Sequence, residues 1–198
     1  ARLSVPIVYN TSSYECGETL RQLDGLVDIY LADLKYLDPQ LAAKYSHAVD
    51  YPETAKADIK EMVRQTGPVQ WEGEKVIRGV IIRHLILPGE LENTRRVIDW
   101  VAETFRPGDV LFSLMSQYTP VYKALDVPPF NRPATEEEYE SVTAAAADFA
   151  GGERLGERHA GGCPAFGPQI DHRLAVKRFG GLRAFRFFPC ERVVFAQR

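Results

Sequence analysis

Four aliphatic runs, each followed by helix-forming sequence, constrain this chain more than anything else in it. Residues 5–9, 26–34, 78–87 and 110–115 are dominated by Val, Ile, Leu and aromatic side chains, with little polar alternation. Such runs suit strands of a parallel sheet covered on both faces. The stretches between them supply helices. Residues 15–23 carry Leu20 and Leu23 on one face, and Asp38-Pro39 joins an N-cap to a first-turn proline. Residues 51–65 bear an apolar stripe of Ala55, Ile59, Met62 and Val63, and residues 92–105 bear Val97, Ile98, Val101 and Phe105. Thr135 followed by Glu138 has the form of a capping box and opens a last helix to about residue 150. Residues 69–75 read as a loop or small excursion, and 119–133 as a loop. The alternation predicts right-handed parallel β/α units. A closed β/α barrel needs eight strands. The fold class expected is therefore α/β: an open sheet, or a partial parallel (β/α) barrel of about four strands with flanking helices.

The composition is that of one globular domain. Of 198 residues, 45% are hydrophobic and 26% charged, with a formal net charge of −3. That balance offers no reason to expect nucleic acid as a partner. No apolar run approaches the roughly 20 residues that span a bilayer, and no signal peptide is legible. Three scattered cysteines, Cys16, Cys163 and Cys190, argue against a disulfide framework and for a reducing cytoplasm. The charge is unevenly spread. Residues 1–150 hold 15 Lys and Arg against 23 Asp and Glu, a net of −8, whereas residues 151–198 hold 9 against 4, a net of +5, and 8 of the 15 glycines. The chain therefore divides into a β/α part, 1–150, and an atypical basic, Gly-rich tail, 151–198. Two stretches of that tail, 185–188 and 192–196, have the composition of a strand.

In β/α folds ligands gather outside the carboxyl ends of the strands. The polar residues at those ends are Asn10, Thr11 and Ser12; Asp33 and Lys35; Arg83 and His84; and Ser116, Gln117 and Tyr118. Each set has a plainer reading. Asn10 and Thr11 can cap the following helix. Asp33 and Lys35, two apart, can pair with each other. His84, inside an apolar strand, is either a satisfied core histidine or a ligand or base. Cys16 reads as a structural cysteine at a helix start, and Glu136-Glu137-Glu138 as a solvated first turn favoured by the helix dipole. A polar ring on all four strand ends is better explained by one shared site than by independent accidents. No glycine-rich phosphate loop, HExxH, CxxC or GxSxG segment is present.

Five segments in order carry a family resemblance: Pro6-Ile7-Val8-Tyr9-Asn10-Thr11-Ser12-Ser13-Tyr14; Val27-Asp28-Ile29-Tyr30-Leu31-Ala32-Asp33-Leu34-Lys35-Tyr36; Tyr45-Ser46 through Tyr51-Pro52; Val80-Ile81-Ile82-Arg83-His84-Leu85-Ile86-Leu87-Pro88-Gly89; and Leu114-Met115-Ser116-Gln117-Tyr118-Thr119-Pro120. On these, residues 6–123 resemble the second half of a radical S-adenosylmethionine protein related to pyruvate formate-lyase activating enzymes. The resemblance implies a partial or full β/α barrel with S-adenosylmethionine at the strand ends. It implies a four-iron four-sulfur cluster, held by the three thiolates of a CxxxCxxC loop, at which S-adenosylmethionine is reductively cleaved and hydrogen is abstracted from a substrate. In activating enzymes that substrate is a glycine of a partner, a glycyl-radical enzyme; another protein or a small molecule is the alternative. Asn10, Thr11, Ser12, Asp33, Lys35, Arg83 and His84 match cofactor-side strand ends, and Gln117 and Tyr118 match an end where substrate approaches.

The chain departs from that pattern in two places. The cluster loop would precede Ala1, and the chain, which opens without a methionine, is expected to start at a cut. Residues from 151 onward do not continue the family pattern and read as a frameshifted or foreign extension. The expectation is a fragment that keeps part of the cofactor cleft, binds no metal of its own, supplies no catalytic residue and is inactive alone. The first strand would then show an unpaired edge. Two rival readings are a non-catalytic β/α module that binds a small anionic ligand or a partner, and a defective gene product.

Overall fold

The computed structural model describes residues 5–149. In chain order these form β1 (Val8–Thr11), α1 (Gly17–Gln22), β2 (Ile29–Asp33), α2 (Pro39–Ser46), α3 (Tyr51–Thr66), β3 (Gln70–Glu72), β4 (Lys75–Leu85), α4 (Leu91–Thr104), β5 (Val110–Met115) and α5 (Glu136–Phe149). A 3₁₀ turn at Tyr122–Asp126 interrupts the β5–α5 connection. The chain is thus α/β, with a parallel sheet flanked by helices. The tail from 151, its strand-like stretches, Cys163 and Cys190 lie outside the described residues. Among the described residues no helix is long and apolar enough to cross a membrane.

Local chemistry accounts for the element ends. Asp38 caps α2 by accepting from the Gln40 N–H at 2.7 Å, with Pro39 in the first turn. The capping box at α5 is reciprocal: Thr135 Oγ1 accepts from the Glu138 N–H (3.2 Å), and Glu138 Oε2 accepts from the Thr135 N–H (2.8 Å). Residues 69–75 form a β-hairpin rather than a loop, with Glu72 paired to Lys75 around Gly73, whose φ is +59°.

The sheet runs β1–β2–β4–β5, all parallel, with β3 antiparallel along the first residues of β4. β4 changes partners at Gly79. Its φ is +132°, and a Cβ there would sit 2.9 Å from the Val69 Cα, so only glycine fits the changeover.

The strand order explains a correction. The expectation was a sheet covered on both faces. Parallel strands added in one direction, each by a right-handed crossover, place every helix on the same side; both sides are covered only where the order reverses. Here the order does not reverse. Tyr30, Ala32, Val80, Ile82, Val110 and Phe112 face the helices and join Leu20, Ala42, Ala55, Ile59, Met62, Val97 and Val101 in one core. The alternate residues point the other way, and none belongs to that core: Asn10, Leu31, Asp33, Ile81, Arg83, Leu85, Ser113 and Met115. That second face is buried at Ile29, Gly79 and Leu111 and partly or fully exposed elsewhere. β1 pairs only with β2 among the described residues, and its Val8 is exposed.

Candidate functional site

At the carboxyl ends of β1, β2 and β4 the open face carries a polar cluster of Asn10, Asp33 and Arg83. Asp33 and Arg83 are direct partners across the β2–β4 ladder, and Asn10 lies one strand over. The guanidinium donates to Asp33 Oδ1 from Nη2 (2.6 Å) and Nε (2.9 Å), and from Nη2 to Asn10 Oδ1 (2.6 Å). Charge-assisted bonds of this length hold all three groups in one arrangement. The Arg83 and Asp33 side chains are 24% and 25% exposed, enough for a ligand to touch them. Arg83 can donate to an anion, Asp33 can accept from hydroxyls, and Asn10 can do either. This donor set is suited to binding and orientation.

A buried scaffold of polar groups holds these strand ends. The hydroxyl of Tyr51, the first residue of α3, accepts from the Lys35 N–H (3.0 Å) and faces the carbonyls of Ser12 (2.9 Å) and Asp33 (3.0 Å) as donor. Burial pushes its pKa well above that of an ordinary tyrosine, so it stays protonated. Buried Asn93 of α4 donates to the Lys35 carbonyl (3.0 Å) and accepts from the Leu37 N–H (2.9 Å). In the β1–α1 loop, Thr11 Oγ1 donates to Glu15 and accepts from the Ser13 N–H, while the Glu15 N–H donates to buried Asp58 at 2.7 Å. Burial raises the Asp58 carboxyl. An aromatic chain lines the same rim: Tyr14–Tyr51 (5.8 Å between ring centres), Tyr51–Tyr36 (5.8 Å), Tyr36–Tyr45 (6.5 Å), Tyr45–Phe130 (4.5 Å) and Phe130–Tyr118 (6.0 Å).

The expected site residues therefore separate. Asn10, Asp33 and Arg83 meet. Ser12 is exposed beside them and lends its carbonyl to Tyr51. Thr11 faces the helices and organises its loop by bonding Glu15 and the Ser13 N–H; it does not cap α1, whose N-cap is Cys16 without a side-chain cap bond, so the capping role considered for Asn10 and Thr11 is not found. Lys35 is exposed, and the Asp33 carboxylate pairs with Arg83 instead of Lys35, because strand register puts Arg83 directly opposite. His84 is a further correction to the set. One residue beyond Arg83, it points into the core, fully buried between the Leu34 carbonyl (Nδ1, 2.6 Å) and Thr94 Oγ1 (Nε2, 3.0 Å). Burial pushes its pKa down to about 4. Gln117 is exposed beyond β5, its Nε2 3.7 Å from the Met115 sulfur, and Tyr118 donates to the Phe130 carbonyl at 3.0 Å. Glu138 is not merely solvated: it accepts from Arg132 through both oxygens and from the Gly89 N–H.

Sequence reasoning passed over Tyr51, Asn93 and Asp58. Tyr51 stood beside Pro52 at a helix start, a position that signals a helix boundary but not a hydroxyl directed at two loops.

A four-iron four-sulfur cluster requires thiolate ligands. Cys16 is the one cysteine among the described residues, exposed at the start of α1, and no three His, Cys, Asp or Glu side chains among those residues are grouped to hold a metal ion. The described residues do not fit that cluster.

In comparisons with known proteins, the chain is 29% identical over 143 residues to the uncharacterized protein MJ0674 of Methanocaldococcus jannaschii, covering 70% of this chain and 37% of that protein. The chain thus spans well under half the length of the curated relative it matches. No family model and no solved structure matches it.

Proposed function

We propose that residues 5–149 form the cofactor- and substrate-binding part of a radical S-adenosylmethionine domain resembling the glycyl-radical-enzyme activating enzymes, the sheet being an arc of a β/α barrel. The observation that carries this reading is the Asn10–Asp33–Arg83 cluster on the uncovered face of a sheet whose helices all lie on the other side. In a β/α barrel the ligand sits at the carboxyl ends of the strands, where these polar groups stand. S-adenosylmethionine has a carboxylate suited to Arg83 and ribose hydroxyls suited to Asp33, so these residues fit it. The cluster that would cleave it would be held by another segment of a longer polypeptide. The substrate is a glycine of a partner protein or a small molecule, admitted near Gln117 and Tyr118.

The test begins with the DNA preceding the Ala1 codon and expression of the whole reading frame. The expected result is an in-frame CxxxCxxC segment and 5′-deoxyadenosine released when the iron- and sulfide-reconstituted protein is reduced with S-adenosylmethionine present. Arg83→Met should lower that release at least about tenfold, the effect of one lost charge-assisted contact. An uninterrupted upstream frame without three clustered cysteines, or a reconstituted protein that leaves S-adenosylmethionine intact, overturns the reading. Metal-independent binding of an anionic ligand would then favour the non-catalytic module.

A further inference from the structure

We infer that Tyr51 is the positioning residue of this site, its hydroxyl setting the geometry in which Asn10, Asp33 and Arg83 meet; the inference rests on reading those strand ends as a ligand site. Backbone groups just past a strand end have left the ladder and need other partners. Here three of them, from two different connections, converge on one phenol oxygen: the Ser12 carbonyl of the β1–α1 loop, and the Asp33 carbonyl and Lys35 N–H at the end of β2. A phenol has one proton, so the two carbonyls share it while the oxygen accepts from Lys35. Ser12 is two residues beyond Asn10, and Asp33 is the residue whose carboxylate holds Arg83. The phenol therefore sets the backbone spacing under two of the three ligand-facing groups without touching any of their side chains.

The oxygen is held in place from behind. Tyr51 is 3% exposed, and its ring packs against Tyr14 and edge-on against Tyr36, each at 5.8 Å. Tyr45 provides an internal control. It belongs to the same aromatic chain and donates a hydroxyl bond of 2.9 Å, but to the Glu90 side chain rather than to the strand ends.

The experiment compares Tyr51→Phe with Tyr45→Phe in the 198-residue chain. Circular dichroism should show both folded, with thermal denaturation lowered more in Tyr51→Phe, which leaves three backbone groups without their partner, than in Tyr45→Phe. Two readouts then separate positioning from structure. The first is water exchange at the Arg83 Nε–H in ¹⁵N-edited NMR, its signal assigned with Arg83→Lys. Exchange should quicken several-fold in Tyr51→Phe and stay at the unsubstituted rate in Tyr45→Phe. The second is equilibrium dialysis with S-adenosylmethionine. Affinity should fall about tenfold in Tyr51→Phe, the size of one lost buried hydrogen bond passed on to the site, and hold in Tyr45→Phe. Arg83 exchange that is unchanged by Tyr51→Phe, or equally changed by both substitutions, overturns the inference. If the unsubstituted chain binds no S-adenosylmethionine while Arg83 responds to Tyr51→Phe alone, the ligand assignment fails and Tyr51 keeps its positioning role.

Discussion

On one face of the sheet Tyr30, Ala32, Val80, Ile82, Val110 and Phe112 are buried under helices. On the other, one residue along each strand, Leu31, Asp33, Ile81, Arg83 and Ser113 are only partly buried. The backbone and ladder are shared, so the difference lies wholly in what the crossovers place above each face. Arg83 and His84 show it in adjacent residues: Arg83 is held by Asp33 and Asn10 at a ligand-accessible rim, and His84 is sealed in the core by a carbonyl and a threonine. The covered face carries stability. The open face keeps polar groups at its strand ends, which under the proposed function would serve binding.

The sharpest way to break this contrast is a matched pair of truncations in β4. Ile82→Ala removes a fully buried side chain and should cost about 3–4 kcal/mol in urea denaturation. Ile81→Ala, its neighbour on the open face, should cost about 1 kcal/mol, in line with partial burial. Equal losses would mean that the open face is covered in solution.

The next effect is nearly as large and appears only in acid. Burial holds His84 at about 4, below the usual 6.5. Since the folded pKa lies below the unfolded one, the unfolded state takes up the proton first. This part of the stability is full above pH 6.5 and is lost as pH falls through 4, about 3 kcal/mol in total. Glu61 and Glu138, each drawn down to about 2 mainly by hydrogen bonding to an arginine, keep their contribution in full above about pH 4.5 and lose it only below that. Between pH 6.5 and 4.5 His84 supplies the loss of stability on acidification, opposed by buried Asp58, whose raised carboxyl takes up its proton more readily in the folded state, and His84→Gln should remove that loss in denaturation curves taken at successive pH values. A loss that survives the substitution would show that His84 does not titrate as a buried core residue.

The smallest expected effect tests the other face. Asp33→Asn weakens a partly exposed ion pair and should change stability by no more than about 1 kcal/mol. A loss of several kcal/mol would make the Asp33–Arg83 pair structural and remove the ground for treating this face as a ligand surface.

Much of the fold was legible because its signals are local. The stripe of Ala55, Ile59 and Met62, the Asp38-Pro39 start, the Thr135–Glu138 box and the run at 110–115 each depend on residues within a turn or two of one another, and each appears where expected. The β3–β4 hairpin was missed because Gln70–Glu72 is short and polar and becomes a strand only by pairing with Lys75–Arg78. The site was half legible. Residue type and strand end were enough to gather Asn10, Asp33 and Arg83 as candidates, but not to exclude His84, because an uninterrupted apolar run conceals which alternate residues face the helices.

By itself, then, the sequence determined the kinds of elements, their order and the ends at which polar residues collect, since those follow from spacing, caps and turn residues close together in the chain. The tertiary structure decided which strand lies beside which, that the helices share one face, that Arg83 rather than Lys35 takes Asp33, and that the Tyr51 phenol joins two connections. Those outcomes depend on register and crossover direction, which bring together groups up to 73 residues apart. No local pattern of side chains encodes a contact of that range.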